Sequence, residues 1–413
     1  MSEWRHSTWG EEISLEYGKA LRDYTDVAGD FRVFGTNGPI GWTAKPLADG
    51  PGVILGRKGA YRGVHYSPDP FFVIDTAYYV VPKGDFEMRW LYYAIIHYQL
   101  GQIDDGSPIP STTRAAVYPR EIVVPPPEEQ RAIAGVLGAL DDKIEQNRRT
   151  AQALERLARA IFQAWFVNFE PVKAKAAGAI SFPSMPQPAF DALPTRFVDS
   201  DVGPVPEGWV LTTIGGLASR VAMGPFGSDI KTDNFVADGV PIIRGGNLKD
   251  GFVDEDFVYL SEAKADQLAN SNAFPGDIVI THRGTLGQVG LIPSKSRHRR
   301  YVVSQSQMLI RPSAALPSHF LYLFLTSARG QHELLVNKSQ TGVPAISRPT
   351  TSVKAIRMTV PDPLPLVQFE ATVATLFDCR DAIDIESRKL AEMRDYLLPK
   401  LLSGSVRVEA AHG

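Results

Sequence analysis

This 413-residue chain is short of sulfur, of membrane-length apolar runs and of catalytic signatures. Its single cysteine, Cys379, excludes a disulfide framework and any thiolate zinc cluster, and suits a reducing compartment. No apolar run reaches the roughly 18 residues of a membrane span, and the opening Met1 to His6 is too polar for a secretory leader, so a cytoplasmic protein with no membrane partner is expected. There is no GxxxxGK[ST] loop, HExxH pair, GxSxG elbow or strand-bound GxGxxG fingerprint. Asp69-Pro70-Phe71-Phe72 comes nearest to a methyltransferase loop, but it lacks the second proline and a glycine-rich cofactor loop. The eight histidines have no ligand spacing, and the acid pairs Asp104-Asp105 and Asp141-Asp142 read as a turn and a helix flank. No catalytic residue, metal ligand or cofactor is therefore expected in this chain. A net charge of −3 by itself counts mildly against a nucleic-acid partner.

What the chain has is a repeat. Gly106 to Ser111 (GSPIPS) falls on Gly342 to Ser347 (GVPAIS) at an offset of 236, and the register holds without a gap until Trp165 meets Leu401. Upstream, Trp4 and Gly10 answer Trp209 and Gly215 at an offset of 205, and Gly52 to Gly59 answers Asp277 to Gly284 at 225. The growing offset means insertions in the loops of the second copy. The period far exceeds a solenoid unit, so each copy is a whole domain plus a helix, a fused pseudo-dimer with one binding site per half.

Short apolar runs punctuated by Gly, Pro and Asn predict strands at Phe31–Phe34, Val53–Leu55, Phe71–Val81, Pro241–Arg244, Ile278–Thr281 and Tyr301–Ile310. A helix is predicted after each set, at Glu87–Leu100 and Pro317–Leu335. Longer helical patterns follow. Ile133, Leu137, Leu140, Ile144, Asn147, Ala151, Leu154, Ala158, Ile161 and Trp165 alternate spacings of four and three, a heptad seam. Its counterpart is Phe369, Val373, Leu376, Arg380, Ile383, Ser387, Leu390, Arg394, Leu397 and Leu401. Each would form a rod of roughly 58 Å. The first helix leaves domain one and the second returns from domain two, so antiparallel packing is expected. Polar Asn147, Arg380, Ser387 and Arg394 either set the register or mark a solvated edge.

The expected fold is α+β: two similar mixed α/β domains joined by two long helices packed as an antiparallel coiled coil, a pseudo-twofold internal repeat. The boundaries are 1–125 for the first domain, 126–169 for its helix, 170–200 for a partly flexible linker, 201–361 for the second domain, 362–403 for its helix, and 404–413 for a tail. Val406-Arg407-Val408 in that tail would lie beside domain one as an added edge strand.

One stretch stands out electrostatically. From Thr281 to Arg311 there is no acid, while Arg283, Lys295, Arg297, Arg299, Arg300 and Arg311 supply positive charge. Such a patch suits DNA phosphates, although a solvated basic loop has the same composition. The aligned place in copy one carries Arg57, Lys58 and Arg62, which favours a shared role. Base readout uses Arg or Lys for guanine and Asn or Gln for adenine. The candidates near strand ends are Arg32, Thr36 and Asn37 in copy one, and Arg244, Asn247, Gln305 and Gln307 in copy two. Gln305 and Gln307 would equally suit an inward-facing strand.

Several stretches taken together resemble the specificity subunit of bacterial type I restriction-modification enzymes. They are Pro206 to Trp209 (PEGW), Gly224 to Ser228 (GPFGS), Gly239 to Asn247 (GVPIIRGGN), Leu140 to Asn147 (LDDKIEQN), Ile161 to Phe166 (IFQAWF) and Leu397 to Gly404 (LLPKLLSG). In this order, and doubled, they cover nearly the whole chain. The resemblance implies two target-recognition domains, each reading one half of a split, asymmetric double-stranded DNA site, with the long helices as spacer and docking surface. It also implies two methyltransferase subunits that modify adenine and restriction (helicase-nuclease) subunits that translocate and cut DNA. S-adenosylmethionine, ATP and Mg2+ would belong to those partners. Copy one lacks the GPFGS stretch, and Leu366-Val367-Gln368 replaces an acidic-Gln start such as Glu128-Glu129-Gln130. These departures bear on the target sequence, not on the role. The rival readings are a coiled-coil scaffold holding two protein-binding domains and a self-sufficient DNA methyltransferase or nuclease.

Overall fold

The computed structural model describes residues 4–24, 29–104, 106, 110–225, 227, 229–249, 251–339 and 342–408. Ser107 to Ile109 of the first repeat landmark, and Phe226 and Ser228 of the GPFGS stretch, lie outside the described residues. The chain divides into two compact units, residues 1–148 with 385–413, and residues 149–384.

In the first unit the strands are β1 (Arg5–Thr8), β2 (Ile13–Tyr17), β3 (Phe31–Gly35), β4 (Gly38–Thr43), β5 (Gly52–Gly56), β6 (Val64–Ser67), β7 (Phe71–Val73), β8 (Ala77–Pro82) and β9 (Glu121–Val124). β1 pairs antiparallel with β9, and a four-stranded sheet runs β2-β8-β5-β6. A smaller sheet runs β4-β3-β7, with β3 and β7 parallel. β5 is apolar along its whole length because both its faces are covered. A helix at Met88–His97 packs Trp90, Leu91, Ala94 and Ile95 into a core shared with Trp9, Val53 and Leu55.

The second unit adds β10 (Phe197–Val198) and β11 (Val205–Pro206), then β12 (Val210–Thr213), β13 (Ala218–Met223), β14 (Phe235–Val236), β15 (Val240–Ile243), β16 (Val258–Leu260), β17 (Asn272–Ala273), β18 (Ile278–Thr281), β19 (Val289–Leu291), β20 (Tyr301–Val303), β21 (Gln307–Pro312) and β22 (Arg357–Val360). Its topology repeats that of the first. β12 pairs antiparallel with β22, the four-stranded sheet runs β13-β21-β18-β19, and β15 lies parallel to β20. The repeat extends to single residues: Thr8 and Thr213 precede a helical turn with φ −117° in both and ψ 153° and 154°. Gly106 and Gly342, aligned by the 236 offset, both need positive φ, at 78° and 77°.

Three predicted elements are broken, each by a local device. The runs Phe71–Val81 and Tyr301–Ile310 each split in two. A turn at Ile74 to Thr76 carries the chain from the three-stranded to the four-stranded sheet of the first unit, and one at Ser304 to Ser306 carries it from the five-stranded sheet β14-β16-β15-β20-β17 to the four-stranded sheet of the second. Pro317–Leu335 becomes two helices, Ser318–Thr326 and Ala328–Leu335. Ser327 Oγ caps the second by accepting from Gly330 N at 3.1 Å, and a Cβ on Gly330 would lie 1.9 Å from Phe324 O. The stretch 170–200, expected to be partly flexible, contains helices at Glu170–Ala176 and Gln187–Asp191 whose Val172, Ala189 and Phe190 are buried in the second unit's core. Among the described residues the tail forms no strand; instead Arg407 pairs with Glu129 at 2.8 Å and stacks over Trp4.

The two long helices, Pro127–Phe162 and Pro363–Leu402, pack together antiparallel, and the first continues through a wide π-type turn at Gln163–Val167. In the first unit Asp141 meets Arg394 and Asn147 meets Glu386. In the second Glu155 meets Arg380 and the ring of Trp165 meets that of Phe369. Partners on one helix therefore descend as those on the other ascend. Each helix is divided between the units rather than standing as a separate segment, because Ile133 and Leu137 join the core of the first and Ile161 and Trp165 that of the second. Phe369, Val373 and Leu401 are buried, while Leu140, Ile144, Leu154, Leu376, Ile383, Leu390 and Leu397 are half-buried.

Candidate nucleic-acid interface

The second unit has a cleft of about 410 Å³ in the size range of small-ligand sites. Its floor is made of polar side chains that satisfy one another. Thr281 Oγ1 donates to Gln288 Oε1 at 2.9 Å, and Gln307 Nε2 donates to Thr281 Oγ1 at 3.2 Å. Ser304 Oγ donates to Gln307 Oε1, and Gln288 Nε2 reaches Gly245 O at 3.1 Å. Thr281 and Gln307 are each only 1% exposed, so this network is rigid rather than available to a ligand. Ile230, Phe235, Ile242 and Val258 make an apolar wall, and Arg283 and Gln305 stand on the rim.

Those rim residues sit on two loops fastened together. His282 N donates to Ser306 O at 3.0 Å, and His282 Nε2 lies 3.1 Å from Gln305 O. Burial holds the imidazole below the usual histidine range, and the neighbouring Arg283 charge acts in the same direction against the Gln305 carbonyl. The first unit builds the same junction with different residues. Arg57 N donates to Thr76 O at 3.0 Å, and Arg57 Nη2 donates to Asp75 O at 2.8 Å. Beyond it Gly59 N bonds Pro110 O at 3.0 Å, as Gly284 N bonds Pro344 O at 2.8 Å. Lys58 thus occupies the place of Arg283, and Asp75 that of Gln305.

The structure sorts the candidates read from sequence. In the first unit Asn37 and Lys58 are exposed, and Arg32 stacks 4.4 Å over Trp42. Thr36 Oγ1 is bonded to Lys58 O. Arg62 clamps its loop: its donors go to Gly59 O, Gly101 O, Ile103 O and Thr112 Oγ1. In the second unit Arg244 is exposed but donates to Asp256 O at 3.2 Å. Asn247, 3% exposed, accepts from Arg244 N and donates to Glu255 O, so it shapes its own turn. The basic run divides. Arg297 and Arg299 are exposed, Arg300 is paired with Glu262 and Asp266, and Arg311 with Asp277. Of that run, only Arg283 lines the cleft.

Sequence reading missed Gln288 and Ser304, which carry no motif, and the exposed ring of Tyr61, which follows Arg57 and Lys58 in the chain. It also missed the acids Glu262, Asp266 and Asp254. Asp254 accepts from Tyr301 Oη at 2.7 Å and from Arg297 N at 2.6 Å. Among the described residues no acid–histidine cluster could hold a metal, and no helix is long and apolar enough to cross a membrane.

Residues 22–156 match the family model described as the type I restriction modification DNA specificity domain. Over 335 residues the chain is 26% identical to the type I restriction enzyme HindI specificity subunit of Haemophilus influenzae, spanning 72% of this chain and 71% of that protein. It is also 26% identical over 341 residues to the MjaIX specificity subunit of Methanocaldococcus jannaschii, spanning 80% of this chain and 72% of that one. The fold is like that of the type I restriction-modification S subunit from M. genitalium, with a TM-score of 0.59 and 16% identity over 97% of this chain and 96% of the other. These likenesses define a DNA-specificity protein of restriction systems. Residues 22–156 thus match the DNA specificity domain of type I restriction systems, and over most of its length the chain is similar to the specificity subunits of type I restriction enzymes.

Proposed function

We propose that the chain reads a split, asymmetric double-stranded DNA site, with recognition domains 1–125 and 201–361 each taking one half. The long helices serve as spacer and docking surface for two adenine-methyltransferase subunits, and restriction (helicase-nuclease) subunits join that assembly. S-adenosylmethionine, ATP and Mg2+ belong to those partners, and the complex works in the cytoplasm. The observation that carries this reading is the repeated topology, β2-β8-β5-β6 against β13-β21-β18-β19, with different residues at the matching loop junctions. Equal scaffolds with unequal loops suit two half-sites of different sequence. The exposed Lys58, Arg297 and Arg299 supply phosphate contacts. The apolar seam, Ile133 to Trp165 against Phe369 to Leu401, keeps the helices in register.

The test is co-expression with the partner methyltransferase and mapping of modified adenines. A split motif is expected, and exchange of residues 201–361 for those of a relative should change one half only. A continuous motif, or a change in both halves, would overturn the reading.

A further inference from the structure

We propose that the fastened loop pair is the base-reading position in each unit, with Arg283 and Gln305 reading one half-site and Lys58 and Asp75 the other. This rests on the function proposed above and names the residues that set its specificity.

Four observations converge on the pair in the second unit. None of the side chains lining the cleft is acidic, and two are arginines, which suits a polyanion. The floor amides are engaged with one another, leaving the rim as the part that can change partners. Arg283 and Gln305 are exposed and, among the described residues, their side chains have no hydrogen-bond or ion-pair partner. Their backbones are nevertheless fixed, because His282 fastens one loop to the other through Ser306 O and Gln305 O. Free donors on a rigid base suit base-edge readout, in which misplaced groups lose discrimination. The apolar wall with Phe235 offers a surface for sugar faces or a thymine methyl.

Chemistry then assigns bases. Arg283 presents a planar two-donor fork for guanine O6 and N7, and Gln305 a donor-acceptor amide for adenine N6 and N7. In the first unit Lys58 donates to guanine as a point charge, and exposed Asp75 accepts from cytosine N4. The side chains of Lys58 and Asp75 likewise have no partner among the described residues. The scaffold is the same in both units, whereas the donor and acceptor pattern it presents differs.

The experiment uses the full chain co-expressed with the methyltransferase, with modified adenines mapped genome-wide for wild type, Arg283→Ala, Arg283→Lys, Gln305→Ala and Lys58→Ala. Arg283→Ala and Gln305→Ala should each relax one position of one half-site, by about tenfold in preference. Lys58→Ala should relax one position of the other half and leave the first intact. Arg283→Lys keeps the charge but loses the fork, so it should keep the salt dependence of DNA binding while weakening the preference at that position less than Arg283→Ala does. Replacing the read guanine with 7-deazaguanine should weaken wild-type binding and leave Arg283→Ala unaffected. A wild-type split motif that all four variants retain would overturn the proposal and leave the bipartite reading standing. So would a uniform loss of methylation with no change of preference and an unchanged melting temperature. Absence of a split motif in wild type would sink both.

Discussion

His282 Nε2 lies 3.1 Å from the carbonyl oxygen of Gln305, and in the first unit the guanidinium of Arg57 donates to the corresponding carbonyl of Asp75 at 2.8 Å. An imidazole and a guanidinium thus make one junction. In each unit the residue after the fastening side chain, Arg283 or Lys58, is left exposed, and the two differ in the geometry of the donors they offer.

The His282 junction makes the second unit sensitive to acid. Burial lowers its pKa in the fold, so the unfolded chain binds the proton more readily. Its contribution is present above the unfolded value of about 6.5 and is lost as pH falls through the lower folded value. Urea midpoints should drop between pH 7.5 and pH 5, with a shallower drop in His282→Gln. Equal slopes in wild type and variant would refute this.

Asn147 is 3% exposed, and its amide donates to Glu386 at 2.8 Å, with Lys143 at 3.6 Å from the same carboxylate. A polar seam residue that is buried and paired ties the register of the helices rather than marking a solvated edge. Asn147→Ala should cost about 1 kcal/mol in thermal unfolding, and Glu386→Gln, which keeps an acceptor, less.

Glu155 gathers a half-buried network in the second unit. It accepts from Tyr322 Oη at 2.8 Å and Arg159 Nη2 at 2.6 Å, with Arg380 at 3.7 Å. Burial alone would raise its pKa, but the Arg159 and Tyr322 bonds outweigh that and hold it low. Glu155→Ala should destabilise by about 3 kcal/mol, because Tyr322 and Arg159 lose a shared acceptor and Arg380 an ion-pair partner. Denaturant titration would show it, and a loss under 1 kcal/mol would contradict the network's importance.

The divided basic run predicts unequal effects on DNA binding by the assembled complex. Arg297→Ala and Arg299→Ala should each lower the salt-dependence slope by about one, uniformly across sequences. Arg300→Ala should leave the slope unchanged, since Glu262 and Asp266 already neutralise its charge. Titrations at stepped salt concentrations separate these outcomes.

Sequence alone determined the doubled plan, the long helices and the strands at Phe31, Val53 and Ile278, because these depend on local rules. Seam spacing is fixed by helix geometry, and strand patterning by alternation and turn residues. Sequence also pointed to the loop after Val53 to Leu55 and its counterpart as the place for cations. Only the tertiary structure decided which cations are free. The acid-free stretch from Thr281 to Arg311 meets Asp254, Glu262, Asp266 and Asp277, which lie outside it in sequence. Arg62 and Asn247 look like readers in the sequence but are consumed by carbonyls up to 41 residues away. Whether a charged side chain is available depends on its through-space neighbours, and strand order sets those neighbours. The same strand order brings the turn at Gln305 against Arg283 and so creates the cleft.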